Sequence, residues 1–243
     1  MKINFMFTPV VPGEAIARNV AHNKSLGLPG LGQGWPVSDY VAFVGGDPFV
    51  ASKLDDLRAF NGDIWAVNGA WRMCRDAGID AAFITIDPSP EAAELARGAS
   101  RAILASTVDP SAIKALASNA RVEMFDVGID DVVHGPTTAT AVPHLAIVRG
   151  SRRVSFYGCA SCFDGARTHA YKSAKRSRLL IETCRGLFET SPDMLGQAEF
   201  LAEIIRAAPD VYSERSGGLL GALVQSPDYD ITAATRNIHE AIA

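Results

Sequence analysis

The segment from Val41 to Pro88 constrains the fold more than any other part of the 243-residue sequence. It contains three short apolar runs rich in Val, Ile and Phe, at Val41–Val44, Ile64–Val67 and Ala81–Ile86. Amphipathic segments separate these runs, which predicts a βαβαβ unit whose parallel strands are buried on both faces. Ligands of such sheets bind in the crevice at the carboxyl ends of the strands, so the segment also predicts where a site lies.

The alternation of strand and helix patterns continues as far as Tyr157. The further predicted elements are helices at Pro90–Arg97, at Pro110–Ser118 with Asp109 as cap, and up to Ile147, and strands at Ala102–Ala105, Val122–Val127 and Val154–Tyr157. Beyond Gly158 the pattern predicts a hairpin of Leu179–Thr183 and Leu187–Thr190, a helix through Ala208 with Asp193 as its cap, and a strand at Val211–Ser213. The sequence therefore predicts an α/β fold, a Rossmann-like doubly wound, mostly parallel sheet with a C-terminal hairpin and helix extension.

The first 38 residues precede this pattern and differ from it in character. Gly13–Ser25 is predicted to be a helix, and Leu26–Pro36 is a glycine-rich loop that cannot continue it. We therefore divide the chain into an N-terminal helix with a glycine-rich lead-in, residues 1–38, and a single Rossmann-like domain, residues 39–243. Two roles fit the lead-in: it packs across the sheet, or it forms a mobile flap over the site.

The composition is that of a globular protein without a nucleic-acid footprint. Hydrophobic residues make up 48% and charged residues 21% of the chain, and the net charge is −4, whereas nucleic-acid binders usually carry a basic stripe. No apolar run approaches the ~20 residues that span a bilayer, and the N-terminus is a poor signal peptide. We therefore expect a cytoplasmic protein with no membrane span and with reduced cysteines.

Small and polar residues follow each of the first three predicted strands. Gly45, Gly46 and Asp47 lie between the first strand and its helix, where glycines let the backbone approach a phosphate at the helix N-terminus. A tight turn explains the same residues, and the pattern is neither the dinucleotide fingerprint nor a P-loop. Asn68 and Asp87 end the next two strands. A strand-end Asp beside a phosphate site commonly holds Mg²⁺, although Asp before Pro is also a common turn residue.

Two threonines and a histidine supply further candidates. Thr137 and Thr138 precede a predicted helix, so their hydroxyls could cap the helix or bind phosphate oxygens. His169 follows a polar loop and is a candidate general base or phosphate ligand. Lys172 opens a short basic run that could neutralise phosphate charge, although a solvated basic face explains such a run equally well.

Cys159 and Cys162 form an isolated C-x-x-C pair. A zinc site would need two more ligands, and a redox pair would normally open a helix, which this segment does not predict. We expect ordinary buried or strand-end thiols.

Seven short motifs, in order along the chain, carry a family resemblance. They are VGGDP (44–48), AVNGA (66–70), ITIDPSP (84–90), GPTTATA (135–141), FYGC (156–159), THAY (168–171) and GGLLGAL (217–223). Through their order and spacing, residues 40–223 resemble proteins similar to archaeal 6-hydroxymethylpterin diphosphokinase, a family that includes the glycosyltransferase domain of flagellin-modifying motility accessory factors. The layout is also similar to that of more distant bacterial sialyltransferases, which use a CMP-sugar donor.

The resemblance to the sialyltransferases implies a set of nucleotide-binding residues and a base. The residues implied around the nucleotide are Gly45, Gly46, Asn68, Thr137 and Thr138, with His169 as the base. The chain departs from the diphosphokinase-like pattern at two places. Asp47 and the two residues after it replace a Gly-Pro-Ser ending of the glycine loop, and Ala160 takes the place of an acidic residue after the sixth strand. Asp164 is then the next acidic candidate for binding substrate or phosphate.

The resemblance implies a nucleotide-dependent transferase that acts on small molecules. The first expectation is diphosphate transfer from ATP to a 6-hydroxymethylpterin-like alcohol, with Mg²⁺ held near Asp87 and His169 meeting the developing charge. The alternative is glycosyl transfer from a nucleotide sugar, with His169 deprotonating the acceptor hydroxyl. The third is a nucleotide-binding module without catalysis, which the altered glycine loop motivates.

Overall fold

A computed structural model describes residues 11–127, 137–165, 167, 169 and 178–235 of the chain. The strands in these residues are β1 (Tyr40–Val44), β2 (Asp63–Val67), β3 (Ala82–Thr85), β4 (Arg101–Ala105), β5 (Arg121–Phe125), β6 (Arg153–Tyr157), β7 (Arg178–Thr183), β8 (Gly186–Thr190), β9 (Tyr212–Glu214) and β10 (Tyr229–Thr235). The helices are α1 (Gly13–Ser25), α2 (Leu54–Arg58, after a 3₁₀ turn at Val50–Lys53), α3 (Gly69–Asp76), α4 (Ala92–Ala96), α5 (Pro110–Ala115), α6 (Thr138–Arg149), α7 (Pro192–Ala207) and α8 (Gly218–Gln225).

Seven strands form one sheet in the order β5-β4-β3-β2-β1-β6-β9, and each neighbouring pair is parallel. Strands β2 to β5 extend to one side of β1, while β6 and β9 lie on the other side. The strand order therefore reverses between β1 and β6. This is the predicted doubly wound α/β fold, and the prediction is confirmed.

The apolar runs form the centre of the sheet because helices cover both of its faces. Val41, Phe43, Trp65 and Phe83 are completely inaccessible to solvent, and they belong to the three runs that opened the sequence analysis. Burial of this kind stabilises the sheet by about 25 cal/mol per Å² of apolar surface, so these strands hold the C-terminal strand ends in fixed positions.

The C-terminal region contains the predicted hairpin and one strand more. Strands β7 and β8 pair antiparallel as expected, and β10 pairs antiparallel with β7 to complete a three-stranded sheet. The expectation that Asp193 caps the following helix is wrong. Ser191 is the N-cap of α7 because Pro192 takes the first helical position, and the Ser191 hydroxyl donates to Oδ1 of Asp193 at 2.6 Å.

The glycine-rich lead-in packs along the β5 edge of the sheet, away from the β1–β6 reversal. The backbone N–H of Met124 donates to the carbonyl of Pro29 at 2.8 Å, which continues the sheet edge. The Glu123 carboxylate accepts from the N–H groups of Gly32 and Gly34 at 2.9 and 3.0 Å. Trp35 is buried and donates its indole N–H to Asp63 at 3.1 Å. Of the two roles considered for the lead-in, these contacts correspond to packing across the sheet.

Within the described residues, no helix combines the length and the apolar character that a membrane crossing requires.

Candidate functional site

A cleft of about 170 Å³ lies where the strand order reverses, at the carboxyl ends of β1 and β6. Seven residues proposed from the sequence line it: Gly45, Gly46, Asp47, Asn68, Thr137, Thr138 and His169. They come together because β1, β2 and β6 are neighbours in the sheet and because α6 begins beside the carboxyl ends of these strands. Doubly wound folds commonly bind ligands at this reversal, so this α/β protein has a candidate site, the cleft at its topological switch point.

A larger hollow of about 660 Å³ lies at the other end of the strands, beside the amino ends of β2 and β4. Its lining includes Trp35, Asp63 and Arg101. Its principal charges are paired with one another, since Arg101 contacts Asp63 at 2.7 Å and Asp80 at 3.2 Å. We favour the smaller cleft as the functional site because it holds polar groups without protein partners at the carboxyl ends of the strands.

The backbones after β1 and β6 meet at the base of the cleft. The N–H of Gly45 donates to the Tyr157 carbonyl at 2.8 Å, and the N–H of Asp47 donates to the Gly158 carbonyl at 3.1 Å. A Cβ atom on Gly45 would lie 2.2 Å from the Gly158 oxygen, and one on Gly158 would lie 2.3 Å from the Gly45 oxygen. The first glycine of the loop is therefore explained by contact between two backbones, before any ligand is considered.

The Asp47 carboxylate accepts hydrogen bonds from both of these loops, those that follow β1 and β6. Its Oδ1 accepts from the N–H of Phe49 and its Oδ2 from the N–H of Ala160, both at 2.7 Å. Only 3% of Asp47 is exposed. Burial raises the pKa of this carboxyl above its ordinary value, although the N–H groups of Ala160, Phe49 and Val50 oppose the shift and the charge of Glu214 adds to it. Asp47 therefore bonds to the residue at which the chain departs from its expected relatives, Ala160.

Asn68 lies at the end of β2 in a backbone conformation that residues other than glycine rarely adopt. Its φ and ψ angles are 46° and −124°, and the next residue begins α3. Among the described residues, its buried Oδ1 atom has no hydrogen-bond partner. A strained residue with an unpaired polar atom, placed at the cleft, is the kind of feature that clusters at functional sites.

The three threonines at the start of α6 have separate roles. The Thr140 hydroxyl accepts from the N–H of Thr137 at 3.3 Å and donates to its carbonyl at 2.7 Å, so Thr140 closes the helix start. The Thr137 hydroxyl donates to Oε1 of Gln197 at 2.7 Å. Thr138 is 7% exposed and lines the cleft, and its hydroxyl has no partner within the described part of the chain. Thr138 is thus the threonine left for a ligand.

Gln197 and Ser161 line the cleft and were not among the sequence candidates. The Gln197 amide nitrogen donates to the Ser161 hydroxyl at 3.0 Å, and its amide oxygen accepts from the Thr137 hydroxyl. One side chain on α7 therefore connects the loop after β6 with the residue that precedes α6. Ser161 itself has a φ of 56° and is 1% exposed. A single Gln on an amphipathic helix gives no sequence signal of such a role.

His169 lines the cleft, as does Asp193, which lies in the first turn of α7. Both side chains are half-buried, and both interact with other groups of the protein. The assignment of His169 as a base stays a prediction. No Lys or Arg lines the cleft among the described residues; the start of α6 and several hydroxyl groups do.

Asp87 does not line the cleft. It follows β3, which lies two strands from β1 and so roughly 10 Å to the side at ~4.8 Å per strand. Its Oδ1 accepts from the N–H of Ser89 at 3.0 Å, which is the turn role considered from the sequence. Burial raises the pKa of this carboxyl, and the Ser89 bond opposes the shift. No group of three or more His, Cys, Asp or Glu side chains able to hold a metal occurs in the described ranges, and a Mg²⁺ site at Asp87 stays a prediction.

Of the two other candidates, only Asp164 is within the described residues. Asp164 forms an ion pair with Arg167 and is not part of the cleft lining. Lys172 lies outside the described residues, as do Gly135 and Pro136 of the threonine motif.

The C-x-x-C pair consists of free thiols. Cys159 and Cys162 are both buried, and no disulfide joins them. Burial raises the pKa of Cys162 to about 11 and that of Cys159 well above its ordinary value. Both thiols are protonated at neutral pH, which disfavours metal binding and redox chemistry.

Comparison with known proteins gives one informative likeness. No protein-family model and no curated protein matches this chain. Among solved structures, the MAf glycosyltransferase from Magnetospirillum magneticum AMB-1 is similar, with a TM-score of 0.60 and 16% sequence identity. The match covers 87% of this chain and 38% of that one, so this chain spans well under half of that protein's length. At this identity the likeness shows a shared fold, and it adds no support for the diphosphokinase expected from the sequence.

Proposed function

We propose that this protein is a glycosyltransferase that binds a nucleotide-sugar donor in the cleft between β1 and β6. The observation that carries the proposal is the buried Oδ1 of Asn68 at the switch point, which has no hydrogen-bond partner among the described residues. Thr138, at the start of α6, lines the same cleft. The shared fold with the MAf glycosyltransferase supports the same class of reaction.

In the proposed reaction, an acceptor hydroxyl attacks the anomeric carbon of the donor sugar while the bond from that carbon to the phosphate oxygen breaks. His169 takes the proton of the attacking hydroxyl as general base, and the nucleotide leaves with the bonding electron pair. Negative charge then grows on the leaving phosphate. The N-terminus of α6 and the Thr138 hydroxyl are placed to stabilise that charge.

Diphosphate transfer from ATP is the second candidate and has less support. It depends on a metal near Asp87, whereas Asp87 lies beside the cleft rather than in it. Glycosyl transfer in the form proposed needs neither Asp87 nor an acidic residue at Ala160.

The test is nucleotide release from a panel of CMP-, UDP- and GDP-sugars by wild-type protein, His169→Ala and His22→Ala. His22 is an exposed residue of α1 and serves as the matched control. We expect wild type and His22→Ala to release one nucleotide and His169→Ala to lose most of that rate, about 10²-fold or more.

Other outcomes point to the other functions. AMP release from ATP and 6-hydroxymethylpterin, without turnover of any sugar nucleotide, would reinstate the diphosphokinase. Thermal stabilisation by a nucleotide without turnover would indicate a binding module; a ligand near 100 times its Kd should add about 2.7 kcal/mol of stability.

A further inference from the structure

We propose that Asp47 determines which part of the ligand faces the glycine loop. Its carboxylate occupies the anion position formed by the loops after β1 and β6. The glycine loop therefore binds a hydroxylated, uncharged part of the ligand, and the phosphate binds at the start of α6. This inference rests on the proposed function and assigns an orientation to its donor.

The first step is the occupation of the backbone donors. The N–H groups of Phe49 and Ala160 come from loops that follow different strands, and both point at one carboxylate, each at 2.7 Å. Backbone N–H groups that converge in this way form an anion-binding concavity. In a glycine loop without an acidic side chain they would be available to a phosphate. Here Asp47 fills the position from inside the protein.

The second step is the charge that Asp47 brings to this end of the cleft. A phosphate beside Gly45 and Gly46 would lie next to a buried carboxylate, and Glu214 adds a second negative charge nearby. The described cleft lining contains no Lys or Arg to offset the repulsion. A carboxylate oxygen that already accepts one N–H can still accept a hydroxyl, so this end suits a ribose or sugar hydroxyl.

The third step is the start of α6, where the groups that line the cleft favour an anion. Helix α6 is twelve residues long and begins at the cleft with Thr138. The Thr138 side chain is more than nine-tenths buried, and its hydroxyl has no partner in the described part of the protein. A helix N-terminus with a free hydroxyl donor binds phosphate oxygens well. Asn68 also lines the cleft and contributes an unpaired acceptor, which suits a ligand hydroxyl or amine.

The test measures the affinity of inorganic pyrophosphate by calorimetry for wild type, Asp47→Gly, Asp47→Asn and Asp210→Asn. Asp210 is an exposed carboxylate at the amino end of the edge strand β9, and its substitution controls for the change in net charge. Removing the Asp47 charge and freeing the N–H groups should tighten pyrophosphate binding about tenfold or more in Asp47→Gly, with a smaller gain in Asp47→Asn. The Asp210 variant should stay within about twofold of wild type. Equal affinity in all four proteins would overturn the inference.

A second measurement uses wild-type protein alone and so does not depend on the variants folding. Pyrophosphate added to ¹⁵N-labelled protein should shift the amide resonances of Thr138 and Ala139 and leave those of Phe49 and Ala160 in place. The reverse pattern, or no shift at Thr138 and Ala139, would overturn the inference. Failure of the proposed function is a separate result, namely no binding or turnover of any nucleotide sugar by the wild type.

Discussion

Arg149 and Glu123 form a bidentate ion pair in which neither side chain is exposed to solvent. Nε of Arg149 lies 2.8 Å from Oε2 of Glu123, and a terminal nitrogen lies 3.1 Å from Oε1. The Arg149 guanidinium also stacks 4.6 Å from the centre of the Trp35 ring. Because Glu123 also accepts N–H groups of the lead-in, this pair connects the end of α6, strand β5 and the N-terminal segment.

We predict that Arg149→Met destabilises the protein by about 3–5 kcal/mol, since it leaves a buried carboxylate without its cation. Urea denaturation measures the change. Arg152→Met is the control, because Arg152 is 81% exposed and its contact with Asp39 is long, at 3.6 Å. That variant should change stability by less than about 1 kcal/mol. Equal effects of the two substitutions would show that the buried pair does not stabilise the fold.

The sequence predicts the features of the structure that depend on neighbouring residues in the chain, and it does not predict contacts between distant ones. Apolar runs mark the strands, and the carboxyl ends of neighbouring parallel strands share an edge, so Gly45 and Asn68 could be placed near one another in advance. The bond from Ala160 to Asp47 could not be predicted, because it joins residues 113 positions apart. The position of Asp87 beside the cleft could not be predicted for a related reason, since the lateral order of strands decides which strand ends meet and a linear pattern does not contain it. The position of Gln197 in the cleft lining depends on how α7 packs, which no sequence motif indicates.

Gly158→Ala should destabilise the protein more than Gly78→Ala. Both glycines have a left-handed φ, of 63° and 73°, so both variants carry a backbone cost of about 1–2 kcal/mol. Only at Gly158 would the new methyl group meet backbone, 2.3 Å from the Gly45 oxygen, whereas nothing lies within 4 Å at Gly78. We expect Gly158→Ala to cost about 1–3 kcal/mol beyond the control. The difference in unfolding free energy between the two variants measures the contact, and a difference near zero would contradict it.

Gln197→Leu should weaken the binding of the nucleotide-sugar donor, and Gln225→Leu should leave that binding unchanged. The first substitution leaves the hydroxyls of Thr137 and Ser161 without the amide that holds them, at a cost of about 1–3 kcal/mol divided between stability and affinity. Gln225 is an exposed residue at the end of α8 and serves as the matched control. Calorimetric titration of the best donor from the panel, with thermal unfolding of each variant, separates the two effects. Unchanged affinity and stability in Gln197→Leu would remove this side chain from the site.

The stability of wild type relative to Asp47→Asn should increase as the pH falls through the raised folded-state pKa of Asp47 towards the ordinary value of 3.8. Burial gives Asp47 a higher pKa in the folded state than the ordinary 3.8, so the folded protein binds this proton more tightly than the unfolded chain does. Stability from such a group is present at low pH and is lost as the pH rises through the folded-state pKa. Urea unfolding of both proteins at several pH values gives the comparison. A relative stability that stays constant or falls with decreasing pH would show that the carboxylate is not penalised by burial.

Cys184 should react with a thiol reagent long before the other three cysteines. It is exposed, whereas Cys74, Cys159 and Cys162 are buried, and burial raises the pKa of Cys74 to about 12 and that of Cys162 to about 11. The thiolate is the reactive form, so the buried groups are protected both by access and by protonation. Alkylation of native protein followed by peptide mass spectrometry should show label at Cys184 alone, and at all four sites after denaturation. Rapid native labelling of Cys159 or Cys162 would mean that the loop between β6 and the cleft opens in solution, and that the thiols beside Asp47 are accessible to the ligand as well.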